Sequence, residues 1–219
     1  MKVVICGLGK QAEFTHYCFT HDSPDEVVAF CVEAAYLPQD EGASFLGLPV
    51  VSFEELAAHY PPAEYVLHIA VGQSNGRRRL YEDAKARGYG FASYISSRAQ
   101  TWPDLIKGEH VFIDPVSFVH PYVTVADNVM LLGVIIGHHC RIGSHSTLSV
   151  CTIGGGTTIG DATFIGMGTV VNENLTVGNN NIIGSGCIIS RSTADNAVFG
   201  MPGTKPRQVS ADRISLFKR

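Results

Sequence analysis

Ile153-Gly154-Gly155-Gly156-Thr157-Thr158-Ile159-Gly160-Asp161-Ala162-Thr163-Phe164-Ile165-Gly166 carries an isoleucine at every sixth position, each followed by glycine. The same six-residue unit runs outward in both directions, from residue 113 to residue 189. Its anchors are Ile113, Val119, Val125, Leu131, Ile136, Ile142, Leu148, Ile153, Ile159, Ile165, Val171, Val177, Ile183 and Ile189, and glycine follows seven of these fourteen. The fourth residue after an anchor is small at Ser117, Cys140, Ser146, Thr152, Thr157, Thr163, Thr169 and Cys187. Strand alternation alone has period two, whereas a period of six with one large and one small inward position predicts a chain wound into a triangular parallel β-helix. Each unit supplies one short wall, and three make a coil. An antiparallel sandwich with many glycine turns is the competing reading, and it would not keep phase across so many units. Glycines and other small residues are expected to let the chain bend at the corners. Two units, 131–135 and 148–152, are five residues long and are expected to distort theirs.

The repeats begin only after about half of the 219 residues, so two parts are expected, divided near residue 105. The boundaries read from the sequence are 1–105 for a small Rossmann-like α/β domain, 106–203 for the β-helix and 204–219 for a tail, whose residues 210–219 form a short helix or fray. A net charge of −4 supplies no basic field for nucleic acid or for an anionic membrane surface. The longest apolar stretches, such as 65–71, are too short to span a bilayer, and Met1 leads directly into a strand. A cytoplasmic protein without membrane insertion is therefore expected. The six cysteines, at 6, 18, 31, 140, 151 and 187, form no CxxC pair and read as buried free thiols.

The first half alternates strands and helices. Strands are predicted at 2–6, 27–32, 49–51 and 65–71, and a helix at 11–20 with Phe14, Tyr17 and Cys18 on one face. Ser52-Phe53-Glu54-Glu55 reads as a capping box. A further helix, 74–87, is expected to be capped by Ser74, to turn Leu80, Tyr81 and Ala84 inward, to pair Asp83 with Arg87 and to stop at Gly88. The result is a small doubly wound sheet, whose ligands sit beyond the carboxyl ends of the strands. Gly7, Gly9, Lys10 and Gln11 fit a dinucleotide-type turn, and Gly72 and Gln73 open the second candidate loop. Glu33, at the end of the second strand, is placed to accept hydrogen bonds from a ribose or base. A nucleotide-sugar site, a purely structural turn and a nicotinamide site are the three readings of this constellation.

His138, His139 and His145 crowd the stretch Ile136-Gly137-His138-His139-Cys140-Arg141-Ile142-Gly143-Ser144-His145. Histidine takes a proton near neutrality, which an acceptor amine or hydroxyl must lose as it attacks a thioester. The phase puts His138 two residues after its anchor, on the outer surface of a wall, with Gly155 in the equivalent place one coil later. Three histidines within eight residues also raise a zinc reading, with His110 or His120 as a distant ligand. The three differ in phase, and no metal is expected.

With these residues in view, the chain resembles the bacterial hexapeptide-repeat sugar acyltransferases. These are related to sialic acid O-acetyltransferases and to the N-acetyltransferases of nucleotide-linked amino sugars. The likeness rests on the glycine-rich first turn, the small α/β domain, the repeats and the closing Phe199-Gly200-Met201-Pro202-Gly203-Thr204-Lys205. It implies a homotrimer of left-handed β-helices with acetyl-coenzyme A in the groove between subunits. It also implies His138 as general base, with His139 standing where the family carries an acid. By the same likeness Gly155, Gly156, Gly166, Met167 and Gly168 line the pantetheine, and Lys205 meets the cofactor's phosphates. The implied activity is direct acetyl transfer to an amino group of a nucleotide-linked sugar, in surface-polysaccharide or glycan precursor synthesis. An O-acetyltransferase acting on a sugar hydroxyl is the alternative within the family. A zinc-dependent hydratase or a non-catalytic β-helix protein is the alternative outside it.

Overall fold

The computed structural model describes residues 1–38, 42–206 and 208. The expectation for 210–219 lies outside the described residues. From residue 94 onward short parallel strands stack into three walls of a prism. The first wall holds Phe118–Val119, Ile135–Ile136, Thr152–Ile153, Val170–Val171 and Ile188–Ile189. The second holds Ile106–Lys107, Thr124–Val125, Arg141–Ile142, Thr158–Ile159 and Thr176–Val177. The third starts at Tyr94–Ile95 and continues through Phe112–Ile113, Met130–Leu132, Thr147–Ser149, Phe164–Ile165 and Ile182–Ile183 to Val198–Phe199. This is a left-handed parallel β-helix following a small α/β domain.

All fourteen anchors are buried and form one column. The small inward residues are buried beside them, and their polar atoms satisfy corner carbonyls of the next coil. Ser146 Oγ donates to Gly160 O at 2.9 Å, Thr157 Oγ1 to Asn172 O at 2.8 Å and Thr169 Oγ1 to Gly184 O at 2.8 Å. A buried carbonyl without such a donor would cost a desolvation penalty, so hydroxyls are well suited to this position. Thr152 departs from its expected place. In that five-residue unit Cys151 takes the inward position and Thr152 turns half outward.

The corners differ from expectation in where the bend lies. The left-handed residue is the third after most anchors, and it is usually not glycine: Tyr122, Asn128, His139, His145, Ala162, Asn174 and Asn180 all have φ between 52° and 63°. The glycines that directly follow anchors meet a different constraint. A Cβ on Gly137 would lie 2.5 Å from Gly155 N, and one on Gly160 2.6 Å from Asn179 N, so glycine there lets coil stack on coil. The two five-residue units each drop one residue at the same edge. Their left-handed residues, Gly133 and Val150, come second after the anchor, while the two three-residue strands above them remain in register, Leu131 facing Leu148. The shortening is therefore local.

In the α/β part, β1 (Lys2–Cys6), β2 (Glu26–Val32), β3 (Ser44–Phe45), β4 (Leu48–Ser52), β5 (Tyr65–Ile69) and β6 (Gly90–Phe91) form one sheet in the order β3-β4-β2-β1-β5-β6. Only the β3–β4 pair is antiparallel. One face packs on α2 (Leu56–His59) and α3 (Ser74–Ala86), and the other on α1 (Lys10–Asp22). The buried residues of α1 are Ala12, Thr15, Cys18 and Phe19. Phe14 and Tyr17 are exposed, because the sheet lies one step round the helix from the face that the sequence suggested. Ser52 Oγ accepts from Glu55 N, but the nearby carboxylate of Glu54 reaches the Ala34 amide instead of closing a box. Gln73, not Ser74, caps α3 through its side chain to the Gly76 amide. Leu80, Tyr81 and Ala84 face inward as expected, joined by Arg77, and Gly88 ends the turn at φ 86°. Arg87 donates to Phe53 O at 2.6 Å and lies over the Phe53 ring rather than pairing with Asp83.

The two halves share a core. Phe112 and Met130 point outward from the third wall and are buried with Val3, Ile5, Phe19 and Tyr94 on the α1 side of the sheet. Asp22, at the end of α1, accepts from Ser96 Oγ at 2.6 Å, from Ser97 Oγ and from Tyr94 Oη at 2.8 Å, and these donors hold its carboxyl far below the usual range. All six cysteines are free and buried. Among the described residues no helix is long and apolar enough to cross a membrane.

Candidate active site

Two loops leave the carboxyl edge of the sheet, one between β1 and α1 and one between β5 and α3. The first is held close to the second: Gly7 has φ 127°, and a Cβ there would lie 2.9 Å from Ala70 O. A cavity of about 340 Å³ opens beside them, lined by Gly7, Glu33, Gln73, Cys6, Phe53 and Arg79 among others. It adjoins a second of about 540 Å³, lined by residues 7–11 and 70–73 together with Val32 and Tyr36. Gly7, Gly9, Lys10, Gln11, Glu33, Gly72 and Gln73 are thus brought together. Sequence reasoning missed Tyr36 and Arg79. Arg79 forms a two-pronged pair with Glu33 at 2.7 and 2.8 Å, and those hydrogen bonds lower the Glu33 carboxyl. Two charges 46 residues apart on a strand end and a helix give no local signal. A groove of about 330 Å³ continues from Gly72, Gln73, Ser74 and Asn75 onto Ala162, Phe164, Asn180 and Ile182, along the edge between the second and third walls.

His138 stands on a different edge, between the first and second walls. It is exposed and occupies a corner rather than the wall face expected from its phase. Its Nδ1 lies 3.0 Å from His139 Nδ1, so one of the two nitrogens donates and the other accepts. A His138 with its proton on Nδ1 donates to His139 and leaves Nε2 with a free lone pair. His139 is itself fixed: its backbone N–H donates to Pro121 O at 3.2 Å, and its ring lies 4.7 Å from that of Tyr122 in the previous coil. Gly155 does sit beside His138, and the room it leaves is filled by the imidazole. A Cβ on Gly155 would come within 2.9 to 3.2 Å of three ring atoms of His138.

The residues expected to meet a cofactor separate into two groups. Gly155 and Gly156 belong to the His138 corner, while Gly166, Met167 and Gly168 form the edge between the third and first walls. The first wall lies between them, and its outward side chains Ile135, Val170 and Ile188 are exposed, as is Met167. Lys205 is exposed in the irregular stretch beyond Val198–Phe199. Among the described residues no three His, Cys, Asp or Glu side chains gather to hold a metal ion. His145 is turned away from His138, under α3, where its ring meets the edge of Tyr81 at 5.5 Å. His110 is buried, 4.5 Å from the ring of His68. Burial holds His68 down at about 4 and pushes His110 well below the usual imidazole value.

A small doubly wound domain is thus followed by a left-handed parallel β-helix that carries an outward histidine at one corner. Residues 156–191 match the family described as bacterial transferase hexapeptide (six repeats). Among solved structures, the acetyltransferase domain of PglB from Neisseria gonorrhoeae FA1090, which has also been determined in complex with acetyl coenzyme A, shares 22% identity. The match has a TM-score of 0.79 and covers 90% of this chain and 95% of that one. PerB from Caulobacter crescentus, in complex with CoA and GDP-perosamine, shares 23% identity at a TM-score of 0.77, covering 90% of this chain and 93% of that one. WeeI from Acinetobacter baumannii AYE shares 18% at 0.71, covering 91% and 97%. These likenesses establish the fold over nearly the whole chain. No curated protein matches it.

Proposed function

We propose that this chain is an acetyl-coenzyme A-dependent N-acetyltransferase. Its substrate is the amino group of a nucleotide-linked sugar, and His138 is the general base. The observation that carries the reading is the His138 corner, where a neighbouring imidazole can hold Nδ1–H and leave Nε2 free to take a proton. The fold it shares with PglB and PerB, whose structures contain acetyl coenzyme A or CoA and GDP-perosamine, supports the same reading. In the proposed reaction the acceptor amine attacks the thioester carbon, Nε2 of His138 takes the amine's proton, and the tetrahedral intermediate collapses to an amide and a thiolate. His139 orients the base in place of a carboxylate; it accepts a hydrogen bond without neutralising the imidazolium.

The proposed active unit is a homotrimer. The groove that continues from the 72–75 loop follows the edge between the second and third walls, and the second wall separates it from the His138 corner of the same chain. A sugar held by one copy is therefore received by His138 of a neighbouring copy. Turning the first wall toward the threefold axis buries Ile135, Val170 and Ile188. It also sets the Gly155 and Gly156 edge of one copy against the Gly166–Met167–Gly168 edge of the next, forming a cleft for the pantetheine. Lys205 is assigned to the cofactor's phosphates, and Gly7, Gly9, Lys10, Gln11, Glu33, Gly72 and Gln73 to the nucleotide. Both co-substrates suit a cytoplasmic enzyme of glycan precursor synthesis.

The test is acetyl transfer to a panel of nucleotide-linked amino sugars. His138→Ala is expected to lose roughly 10²–10⁴ in turnover, whereas His139→Glu, which restores a carboxylate, is expected to keep or raise it. Unchanged turnover in His138→Ala rejects the base.

A further inference from the structure

Between the two halves lies a polar cluster that neither the nucleotide cavity nor the His138 corner uses. Arg77, in the first turn of α3, is fully buried. Its acceptors are all neutral: Asn128 Oδ1 at 3.1 Å from Nε, His145 O at 3.0 Å and Thr147 Oγ1 at 2.8 Å from Nη2, and Val71 O at 3.5 Å from Nη1. Asn128, also fully buried, joins this guanidinium to two imidazoles. The Ile69 backbone N–H donates to His110 Nε2 at 2.7 Å, so that nitrogen holds a lone pair and the proton sits on Nδ1. His110 Nδ1–H then donates to Asn128 Oδ1 at 2.8 Å. With its oxygen taken by two donors, Asn128 turns its amide hydrogens to His145 Nδ1, also at 2.8 Å. The Ile69 N–H thus sets the tautomer of His110, and Asn128, oriented by that ring and by Arg77, sets that of His145.

An apolar side chain would fill the Arg77 site at lower desolvation cost, because a buried cation without an anion is expensive. The first turn of a helix is also the wrong end for positive charge. What the cluster does hold is the segment that begins at the end of β5. Ile69 N and Val71 O are its attachment points, and residues 70–73 line the larger nucleotide cavity while Gly72, Gln73, Ser74 and Asn75 line the groove. On the other side the attachment points are Asn128, His145 and Thr147, all on the β-helix.

We propose that Arg77 is a positioning residue which, through Asn128 and His110, fixes the 70–75 loop against the β-helix so that a nucleotide-linked ligand is held in one orientation relative to the coils. The ligand part of this inference rests on the function proposed above; the loop part does not. Arg77→Met keeps the volume and removes the fork, and Arg77→Lys keeps the charge. In the full-length protein, Arg77→Met is expected to keep its melting temperature within a few degrees while amide hydrogen exchange over residues 70–76 rises at least tenfold and α1 is unchanged. Binding of GDP, UDP and dTDP probes is expected to weaken about tenfold, acetyl-coenzyme A affinity to stay within twofold, and Arg77→Lys to recover part of both losses. Unaltered exchange over 70–76 in Arg77→Met overturns the inference whatever the ligand. If Arg77→Met does not fold, Asn128→Ala is read in the same way. Faster loop exchange in a protein whose wild type binds no nucleoside diphosphate leaves the positioning role standing and rejects the functional reading instead.

Discussion

At the scale of single residues, Gly137 and Gly155 show how glycines on adjacent coils carry different burdens. A methyl on Gly137 meets the backbone of the next coil, which cannot retreat without unstacking the prism. Gly137→Ala is therefore expected to destabilise by roughly 1–3 kcal/mol, as overpacking does. A methyl on Gly155 meets only the end of the His138 side chain, which can swing away. Gly155→Ala is expected to melt within a few degrees of wild type and yet to lose most of its turnover, because the ring leaves its hydrogen bond to His139. Thermal denaturation read beside an acetyl-transfer assay checks both, and a Gly155→Ala enzyme with full activity would break the link between that glycine and the proposed base. The repeat made His138 and Gly155 legible as neighbours one coil apart. Whether the glycine makes room for a ligand or for the imidazole was not legible, since spacing fixes phase but not rotamer.

At the scale of elements, strand periodicity and anchor phase were readable because each inward side chain contributes to one continuous apolar column. The faces of α1 were misjudged at Phe14 and Tyr17 because that helix packs through small residues, Ala12, Thr15 and Cys18, alongside a single Phe19. The seam between β5, α3 and the first coils was not legible at all. Arg77, His110 and Asn128 are far apart in sequence and polar, and polar residues carry no periodic signal. That seam has a pH consequence. His68 Nδ1–H donates to Ala92 O at 3.0 Å and His110 Nε2 accepts from Ile69, so both are buried as neutral imidazoles, with Arg77, His145 and Tyr81 nearby. In the unfolded chain each histidine protonates near pH 6.5. The unfolded state therefore binds more protons below that pH, and stability is complete above about 6.5 and is lost as pH falls toward about 4. The expected slope is on the order of 1.4 kcal/mol per pH unit for each imidazole. Melting temperatures measured from pH 7 to pH 4.5 should fall accordingly, and a flat profile would contradict neutral burial.

At the scale of the whole molecule, the division into an α/β half and a β-helix was evident from where the repeats begin, as were the two glycine-bearing loops at the carboxyl edge of the sheet. That those loops and His138 face different sides of one chain was not evident, because it depends on which edge of the prism each corner occupies. The proposed trimer follows from that separation, and it is exposed to a direct test. Ile188→Asp puts a carboxylate on the first wall, away from every cavity described, and is expected to convert trimers to monomers in light scattering, with loss of acetyl transfer despite an intact His138. A monomeric variant with full activity would reject a site shared between copies. Phe112 and Met130 carry a different implication. These coil residues complete the underside of the α1 face, so the two halves are not beads on a string: neither can be excised, swapped into another scaffold or inherited separately without exposing an oily surface that its other half was covering.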